Sequence, residues 1–430
     1  MMLTRIKKII ATDLVKVTSL NAMATLVRML TGFISVKVVA VLIGPAGVAL
    51  LGQLTNFTTI LLNISTGGIG PGMTRYVAQY SESPKRYAVF LSTGLRIILT
   101  LSIISGIVLL VAGRFFSLQI LKDAGYAFVF RILGGTLILY ALNTYLVAII
   151  NGFREFRKYA LANMAGSVTG LLFSVVLAYN FGLTGALIGA VTYQSVVFLV
   201  TLSMVTRSSW FSARAFRLPF SRQAGTRLGH YAIMTLVSAI TVPASQLLVR
   251  SYINHSTGSM DSAGLWEGMN RISAMYLMVI TTSLSVYYLP KLARLKTRAE
   301  VKTEIFQIYK LVLPFLLILS AGIYLFRGLI IEWLFDTSFA DMRSLFLFQL
   351  IGDFFKIASW ILAYQLIARA MTKTFIFTEI FFNGSFVLLS MLFVPMYGPL
   401  GATIGYAVNF FLYLITMVLI FRKTLFANAS

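Results

Sequence analysis

The stretch TSLNAMATLVRMLTGFISVKVVAVLI, residues 18–43, is the first long apolar run of the chain. It exceeds the roughly 20 residues that an α-helix needs to cross a bilayer core about 30 Å thick. It also carries Arg28 near its middle and Lys37 further along. A cation at that depth costs at least about 3 kcal/mol on insertion scales, so such a side chain normally faces a protein interior or a water-filled cavity. The run therefore predicts a membrane helix that turns positive charge away from lipid.

Arg28 has two interpretations. Its guanidinium faces an anionic ligand inside a transport cavity, or it snorkels to the membrane surface or pairs with a carboxylate. Depth favours the first interpretation, because Arg28 lies too far inside the run to reach water easily. At about 100° per residue, Lys37 lies on the opposite side of a straight helix, so both face one cavity only if the helix bends, for example at Gly32.

The composition predicts an integral membrane protein. Of 430 residues, 58% are hydrophobic and only 11% are charged, whereas soluble domains contain about 25% charged residues. The chain has no cysteine, which excludes a disulfide framework and a thiol metal site. Its two histidines, His230 and His255, are far apart, so we expect neither a metal site nor a cofactor.

Twelve apolar spans are long enough to be membrane helices. They cover residues 15–42, 47–70, 88–112, 127–150, 160–180, 184–206, 230–253, 263–289, 306–326, 344–368, 374–394 and 400–421. The sequence therefore predicts an all-α, multi-pass membrane protein with twelve transmembrane helices.

The connections between these spans differ in charge. Those after spans two, four and six are basic and contain Arg75, Lys85, Arg86, Arg154, Arg157, Lys158, Arg207, Arg214, Arg217, Arg222 and Arg227. Connections on the other side hold few cations, namely Arg114, Lys122, Arg250, Arg327 and Arg343. By the positive-inside rule both termini are cytoplasmic. The net charge of +23 is thus explained by the cations of the predicted cytoplasmic connections. We therefore expect no nucleic-acid partner.

The chain also repeats itself. Residues 185–189, GALIG, open span six, and residues 401–405, GATIG, open span twelve, 216 positions later. Ala46-Gly47 and Ala263-Gly264 open spans two and eight at nearly the same offset. Two matches at nearly one offset, 216 and 217 positions, indicate duplication of a six-helix unit. Transporters built from such halves usually bind substrate between them.

We therefore predict two six-helix lobes around a central cavity. The N-terminal lobe covers residues 1–206, a cytoplasmic linker covers 207–229, and the C-terminal lobe covers 230–430. Aromatic residues alternate with arginines in the linker, at Trp210, Phe211, Phe216 and Phe220. This pattern favours a helix lying on the inner leaflet, with a plain solvated linker as the alternative.

Further charges lie inside the spans: Arg96, Glu267, Arg271, Asp353, Lys356 and Glu379. Glu267 and Arg271 are four residues apart and can pair on one helix, and Asp353 and Lys356, three apart, can do the same. Arg96 is close enough to the cytoplasmic end of its span to snorkel or to act in function. Deep cations without acids in the first lobe indicate an anion site there, and the acids of the second lobe indicate a coupling or gating site.

Pro243 interrupts span seven. A proline removes one backbone donor and frees a carbonyl one turn earlier. Broken helices that face a lumen often act as gates, so Pro243 joins Asp353, Lys356 and Glu379 as a predicted coupling or gating residue, with a structural kink as the alternative.

Short segments along the chain resemble the Wzx-type polysaccharide flippases of the MOP superfamily. They are TLVR at 25–28, GPAG at 44–47, TRYVAQY at 74–80, LWEG at 265–268, SVYYLP at 285–290 and QLIGD at 349–353 with Lys356. The resemblance is collinear over nearly the whole chain and includes the flippases for enterobacterial common antigen. The superfamily also contains the multidrug MATE exporters and the peptidoglycan lipid flippase.

The resemblance implies two six-helix lobes of MATE/MOP type. It also implies transfer of an undecaprenyl-pyrophosphate-linked oligosaccharide of the O-antigen or common-antigen pathway from the inner to the outer leaflet of a bacterial inner membrane. Membrane lipids, a polysaccharide polymerase and a chain-length regulator are the expected partners of a monomeric protein. No catalytic residue is expected.

Cavity charges are important in this family, and the matching positions are Arg28, Lys37, Asp353, Lys356 and Glu379. Together with the charge pattern, this gives Arg28, Lys37, Arg96 and Arg271 as predicted pyrophosphate-binding residues, although Arg271 belongs to no family motif. Amides and aromatic rings are candidates for contacts with the glycan, at Gln53, Asn56, Asn63, Tyr140, Asn143, Asn270, Gln349, Trp360 and Gln365. Helix packing is the alternative role for each of them.

Two other classes of protein are alternatives to a lipid-linked glycan flippase. A MATE-like multidrug or cation antiporter is the main alternative, but most of its substrates are cations, which an arginine-lined cavity would repel. A membrane enzyme acting on the same lipid typically presents catalytic groups on a large periplasmic loop. Here the outer connections are short and contain no paired carboxylates or activated nucleophile, so we expect a transporter and not an enzyme.

Overall fold

The computed structural model describes residues 13–295, 297–369 and 371–426, with side chains from Met23 onward except at positions 286, 290, 293 and 294. These residues form helices and connecting turns without a β-strand. The α-helices are α1 Asp13–Ser65, α2 Gly70–Gln79, α3 Pro84–Phe116, α4 Ala127–Gly152, α5 Phe156–Thr206, α6 Arg222–Thr257, α7 Met260–Ser283, α8 Leu289–Arg294, α9 Arg298–Leu325, α10 Arg327–Leu334, α11 Phe346–Ala368, α12 Thr372–Tyr397, α13 Pro399–Ile420 and α14 Arg422–Leu425. Both chain ends, whose cytoplasmic location is predicted, lie outside the described residues.

Each predicted span coincides with a helix or with half of one. Within the described ranges, nine helices are long and apolar enough to cross a membrane by length and composition. Two of them, α1 and α5, contain 53 and 51 residues, and each of these covers two predicted spans. The 24-residue α7 covers most of the eighth predicted span but carries Asp261, Glu267 and Arg271, which lower its hydropathy. The helices are therefore consistent with twelve crossings, and that number stays a prediction.

Glycines break the helical path within α5 and between α12 and α13. Gly182 interrupts α5 with φ 55° and ψ −136°, and Gly398, between α12 and α13, has φ 58° and ψ −140°. A positive φ is accessible to glycine at no steric cost. After each break the chain packs back on itself: a Cβ at Gly185 would lie 1.8 Å from the Leu177 carbonyl oxygen, and one at Gly401 would lie 2.3 Å from that of Phe393.

These two helix hairpins are 216 positions apart, which is the offset of the GALIG and GATIG segments. The same break and the same close approach recur at matching positions of the two halves. The local geometry therefore supports the duplication inferred from sequence.

Replacing Gly185 with alanine should lower the melting temperature of the protein in detergent, because the new methyl group would collide with the Leu177 carbonyl. Overpacking of this kind costs about 1–3 kcal/mol. Gly135→Ala is the matched control, since a Cβ at Gly135 meets nothing within 4 Å. Equal melting temperatures for the two variants would contradict the close packing.

The described chain divides into two compact units. The first contains Met1–Leu42 and Leu54–Ile240, and the second contains Ile43–Gln53 and Thr241–Ser430. The predicted lobes at 1–206 and 230–430 stay a prediction about membrane topology.

Residues 207–221 do not form the predicted helix on the inner leaflet. They contain one 3₁₀ turn, Ala213–Phe216. Trp210 stacks on Phe153 with ring centroids 4.2 Å apart, and Phe211 packs against the same hydrophobic core. The prediction of a leaflet helix is wrong because these aromatic rings have protein partners in the first unit.

In the second unit α11 is the helix around which polar groups gather. Hydroxyl groups of neighbouring segments fix it: Tyr288 donates to the Ile361 carbonyl at 3.0 Å, and Tyr309 donates to the Ala358 carbonyl at 2.7 Å. α11 also carries the predicted coupling residues Asp353 and Lys356.

Candidate functional site

Arg28 lines a cavity of about 410 Å³ within the first unit. Its side chain is exposed on α1 and points to a wall built by α4 and α5. The other lining residues are Asn143, Thr144, Val147, Ala162, Asn163, Gly166, Ser167, Tyr193 and Gln194. Among these lining residues there is no carboxylate.

Amides and hydroxyls dominate the wall opposite Arg28. The Asn143 amide donates to Gln194 Oε1 at 2.7 Å, and Thr201 Oγ1 donates to Asn143 Oδ1 at 2.7 Å. Asn143 itself is buried, so its orientation is set by these two bonds. Of the predicted glycan contacts, Asn143 therefore reaches this cavity, whereas sequence reasoning missed Gln194 and Asn163.

The surroundings of Arg28 favour one of its two interpretations. No carboxylate within the described ranges forms a salt bridge with it, which argues against the ion-pair interpretation. It faces a polar cavity, as the transport interpretation requires. A role in binding pyrophosphate stays a prediction.

Lys37 and Arg96, the other predicted cations of this unit, are exposed on α1 and α3 and do not line the Arg28 cavity. For Lys37 this follows from helix geometry, because a nine-residue separation turns it about half a circle away from Arg28. The structure therefore brings Arg28 alone of the predicted cations to this cavity.

Arg271, predicted to bind pyrophosphate, lies in an ion cluster of the second unit. Its Nε donates to Glu267 Oε1 at 3.0 Å, and Arg250 donates to the other oxygen of the same carboxylate. Arg250 is fully buried beside the Trp266 ring. The cluster needs Gly52, since a Cβ there would lie 2.6 Å from the Glu267 side chain.

The predicted pairing of Glu267 with Arg271 is confirmed, and the assignment of Arg250 to an outer connection is wrong. Arg250 lies within α6, where its apolar neighbours Val249 and Ile253 are buried with it. The predicted span seven, residues 230–253, already contained residue 250, so the span bounds gave the correct position and the assignment to a connection did not. Because it joins two arginines to one carboxylate, the cluster carries a net positive charge.

Asp353 is fully buried and held by hydroxyl groups from two other helices. Ser273 and Tyr276 of α7 donate to its Oδ2, Ser273 at 2.6 Å, and Tyr406 of α13 donates to Oδ1 at 2.8 Å. No salt bridge joins Asp353 to Lys356, so the simple pairing expected from their spacing is wrong. The carboxylate instead links α7, α11 and α13.

Lys356 lies over three aromatic rings. Its Nζ is 5.0 Å from the centroid of Trp360, 5.4 Å from Phe410 and 5.6 Å from Tyr406. Such contacts stabilise an ammonium group through the ring quadrupoles. Trp360, a predicted glycan contact, serves here as a partner of Lys356.

Lys356 and Glu379 line one cavity of about 100 Å³ in the second unit. Ser245 and Gln246, two and three residues after Pro243 on α6, line it too. Ser245 donates to Asn383 Oδ1 on α12 at 3.1 Å. Pro243 itself is buried. The structure therefore brings the predicted coupling and gating residues to one region, with Asp353 three residues before Lys356 on α11.

Known proteins resemble this chain over most of its length. The family described as polysaccharide biosynthesis protein matches residues 14–296. The lipid III flippases of Escherichia coli (strain K12) and Shigella flexneri are each 29% identical over 404 residues, which cover 93% of this chain and 96% of those proteins.

Solved structures show the fold. A multidrug resistance MATE family transporter of the MOP superfamily, in an inward-facing conformation, aligns with a TM-score of 0.76 and 17% identity over 94% of this chain and 96% of the other. The lipid II flippase MurJ, in an inward closed conformation, aligns with a TM-score of 0.74 and 16% identity over 93% and 87%. The predicted all-α, MATE/MOP-like membrane fold is confirmed. These relatives are flippases and transporters, in agreement with the prediction that the chain is not an enzyme.

Proposed function

The chain belongs to the polysaccharide biosynthesis protein family, and on that premise we propose that it is a flippase for a lipid-linked oligosaccharide. It moves an undecaprenyl-pyrophosphate-linked repeat unit, of the O-antigen or enterobacterial common antigen type, from the cytoplasmic to the periplasmic leaflet of a bacterial inner membrane by alternating access. The observation that carries the proposal is the Arg28 cavity. Among the described residues no carboxylate pairs with this guanidinium, and the wall it faces consists mainly of amides and hydroxyls.

The chemistry of this cavity suits both parts of the headgroup. A pyrophosphate diester carries about two negative charges, and the planar fork of a guanidinium matches phosphate oxygens with two parallel hydrogen bonds. Asn163, Ser167 and Gln194 offer donors and acceptors for sugar hydroxyls. The volume of about 410 Å³ falls in the range of small-ligand sites, about 300–1,000 Å³. The polyprenyl chain stays in lipid.

The membrane potential favours outward movement of this anion. Each elementary charge that moves from the negative inner side to the outer side gains about 2.3 kcal/mol per 100 mV. The Asp353, Lys356 and Glu379 region adds a place where a proton or sodium ion can be coupled to the movement.

A cation exporter of the MATE type fits the first unit less well. A cationic drug in the Arg28 cavity would meet a guanidinium and no compensating carboxylate among the lining residues. Fold similarity alone does not separate the two functions, because MATE transporters and MurJ align comparably.

Complementation tests the proposal. The chain should restore glycan display in a strain that lacks the common-antigen flippase or in one that lacks the O-antigen flippase. Lipid III is the first substrate to test, because the relatives with 29% identity are named for it. A protein that inserts normally but restores display in neither strain, and instead lowers sensitivity to cationic drugs, would contradict the proposal.

Asp353→Asn should remove the dependence of transport on an ion gradient. An amide has the same shape as the carboxylate but no charge: its oxygen can still accept from a hydroxyl, and a hydroxyl that faces its NH2 group can turn to accept. We expect wild-type export to slow when the proton or sodium gradient is collapsed, and Asp353→Asn export to be the same with or without the gradient. Asp341→Asn is the control, since Asp341 is exposed. An unchanged gradient dependence in Asp353→Asn would leave that carboxylate a structural role only.

A further inference from the structure

A second cavity of the first unit, of about 370 Å³, is lined by two arginines that the translocation proposal does not use. Arg86 comes from the first turns of α3 and Arg227 from the first turns of α6. The two predicted cytoplasmic connections, after spans two and six, therefore meet at one cavity.

Both guanidiniums contact the side chain of Tyr80. Tyr80 stacks on Phe90 with ring centroids 5.6 Å apart and an interplanar angle of 19°. The Arg86 Cζ lies 5.8 Å from the Tyr80 centroid, and Arg227 Nη1 lies 3.4 Å from the Tyr80 hydroxyl oxygen. Both arginines are exposed and thus accessible to a ligand.

The positive charge of this cavity is not neutralised within the described part of the chain. No carboxylate forms a salt bridge with Arg86 or Arg227 there, and none lines the cavity. Gln223 and Ser221 add neutral hydrogen-bonding groups to the lining. Ser221 directly precedes α6 and Gln223 lies in its first turn, which contributes the positive end of a helix dipole.

We propose that this cavity binds the phosphate headgroup of an anionic membrane lipid. Two guanidiniums on a rigid ring suit a phosphate diester, which accepts paired hydrogen bonds from each fork. The predicted cytoplasmic position places the cavity at the level of the inner-leaflet headgroups, where basic pockets between helices hold anionic lipids. The aliphatic side of the lining, Val89, offers a surface for the first carbons of the lipid. The site is separate from the Arg28 cavity, and its existence does not depend on the chain being a flippase.

The test measures lipid binding to the full-length protein by native mass spectrometry, with phosphatidylglycerol as the probe. Each guanidinium near a headgroup is worth about fivefold in affinity, so Arg86→Gln/Arg227→Gln should bind phosphatidylglycerol about 25-fold more weakly than wild type. The matched control is Arg157→Gln/Arg207→Gln, which removes two exposed arginines from predicted cytoplasmic connections but not from this cavity. The control should bind as wild type does, and unchanged melting temperatures check that both variants fold.

Binding and displacement measurements with other phosphate compounds identify which kind of phosphate the cavity binds. Phosphatidylcholine should bind weakly to all three proteins, and millimolar inorganic phosphate should not displace phosphatidylglycerol. Equal losses in the site and control variants would overturn the proposal, because they would show a general attraction to the basic face. Displacement by inorganic phosphate would overturn the lipid as ligand, and displacement by undecaprenyl pyrophosphate at lower concentration would assign the site to the transported lipid instead.

Discussion

Arg28→Ala should abolish display of the exported glycan while the protein still inserts into the membrane. Arg28 supplies the cation of the polar cavity in the first unit, and among the described lining residues it is the sole arginine or lysine. Truncating one member of a hydrogen-bonded charge pair in a binding site costs about 2–5 kcal/mol, which corresponds to about 30-fold or more in affinity. Surface glycan in a complemented flippase-deficient strain, with membrane abundance measured by immunoblot, reports the effect.

Two further variants sharpen this result. Arg28→Lys should retain partial function, because the charge survives while the bidentate fork is lost. Arg131→Ala is the matched control: Arg131 is an exposed cation on α4 of the same unit and does not line the cavity. Full display with Arg28→Ala, or equal losses in Arg28→Ala and Arg131→Ala, would rule out the cavity role.

Glu267→Gln should strongly destabilise the protein. Its carboxylate is the partner of Arg250, which is fully buried, and of Arg271. Removing one partner of a buried ion pair leaves an uncompensated charge and costs about 3–5 kcal/mol. We expect a lower melting temperature in detergent and a smaller folded fraction in size-exclusion chromatography.

Glu155→Gln is the control for this variant. Glu155 pairs with Lys158 at 3.0 Å, but both side chains are partly exposed, at 23% and 28%. Ion pairs of that kind contribute about 0–1 kcal/mol. The double variant Arg250→Met/Glu267→Met should recover most of the loss, because apolar replacement of a buried pair is often neutral. Melting of Glu267→Gln at the temperature of Glu155→Gln would show that the cluster carries little stability.

The helices were predictable because membrane spans obey a local rule. About 20 apolar residues in succession suffice to indicate a span, so α3, α4 and α11 to α13 begin and end within a few residues of their predicted bounds. The glycine breaks also depend on nearby residues. Gly182 and Gly398, which both have a positive φ, precede the repeated GALIG and GATIG segments. Family motifs then indicated which superfamily fold these helices build.

Partners of buried polar groups were harder to predict, because they come from other helices. Asp353 and Lys356 are spaced to pair on α11, yet the hydroxyls of Tyr276 and Tyr406 reach the carboxylate from α7 and α13. Arg250 looked like a loop cation because it lies near the end of an apolar run, and only the position of Glu267 on the next helix explains its burial. Arg28 was identified by its depth in the run, but the wall it faces depends on how α4 and α5 pack.

Transport in reconstituted vesicles is the most direct test of the proposal that Arg28 lines the route of the lipid headgroup. A fluorescent undecaprenyl-pyrophosphate-linked oligosaccharide is placed in one leaflet, and its accessibility to a membrane-impermeant quencher is followed with wild-type protein, Arg28→Ala and empty vesicles. We expect wild-type protein to move the lipid to the other leaflet and Arg28→Ala to match empty vesicles. Wild-type protein that moves the lipid no faster than empty vesicles, or Arg28→Ala that moves it as fast as wild type, would contradict a guanidinium-lined route for the headgroup.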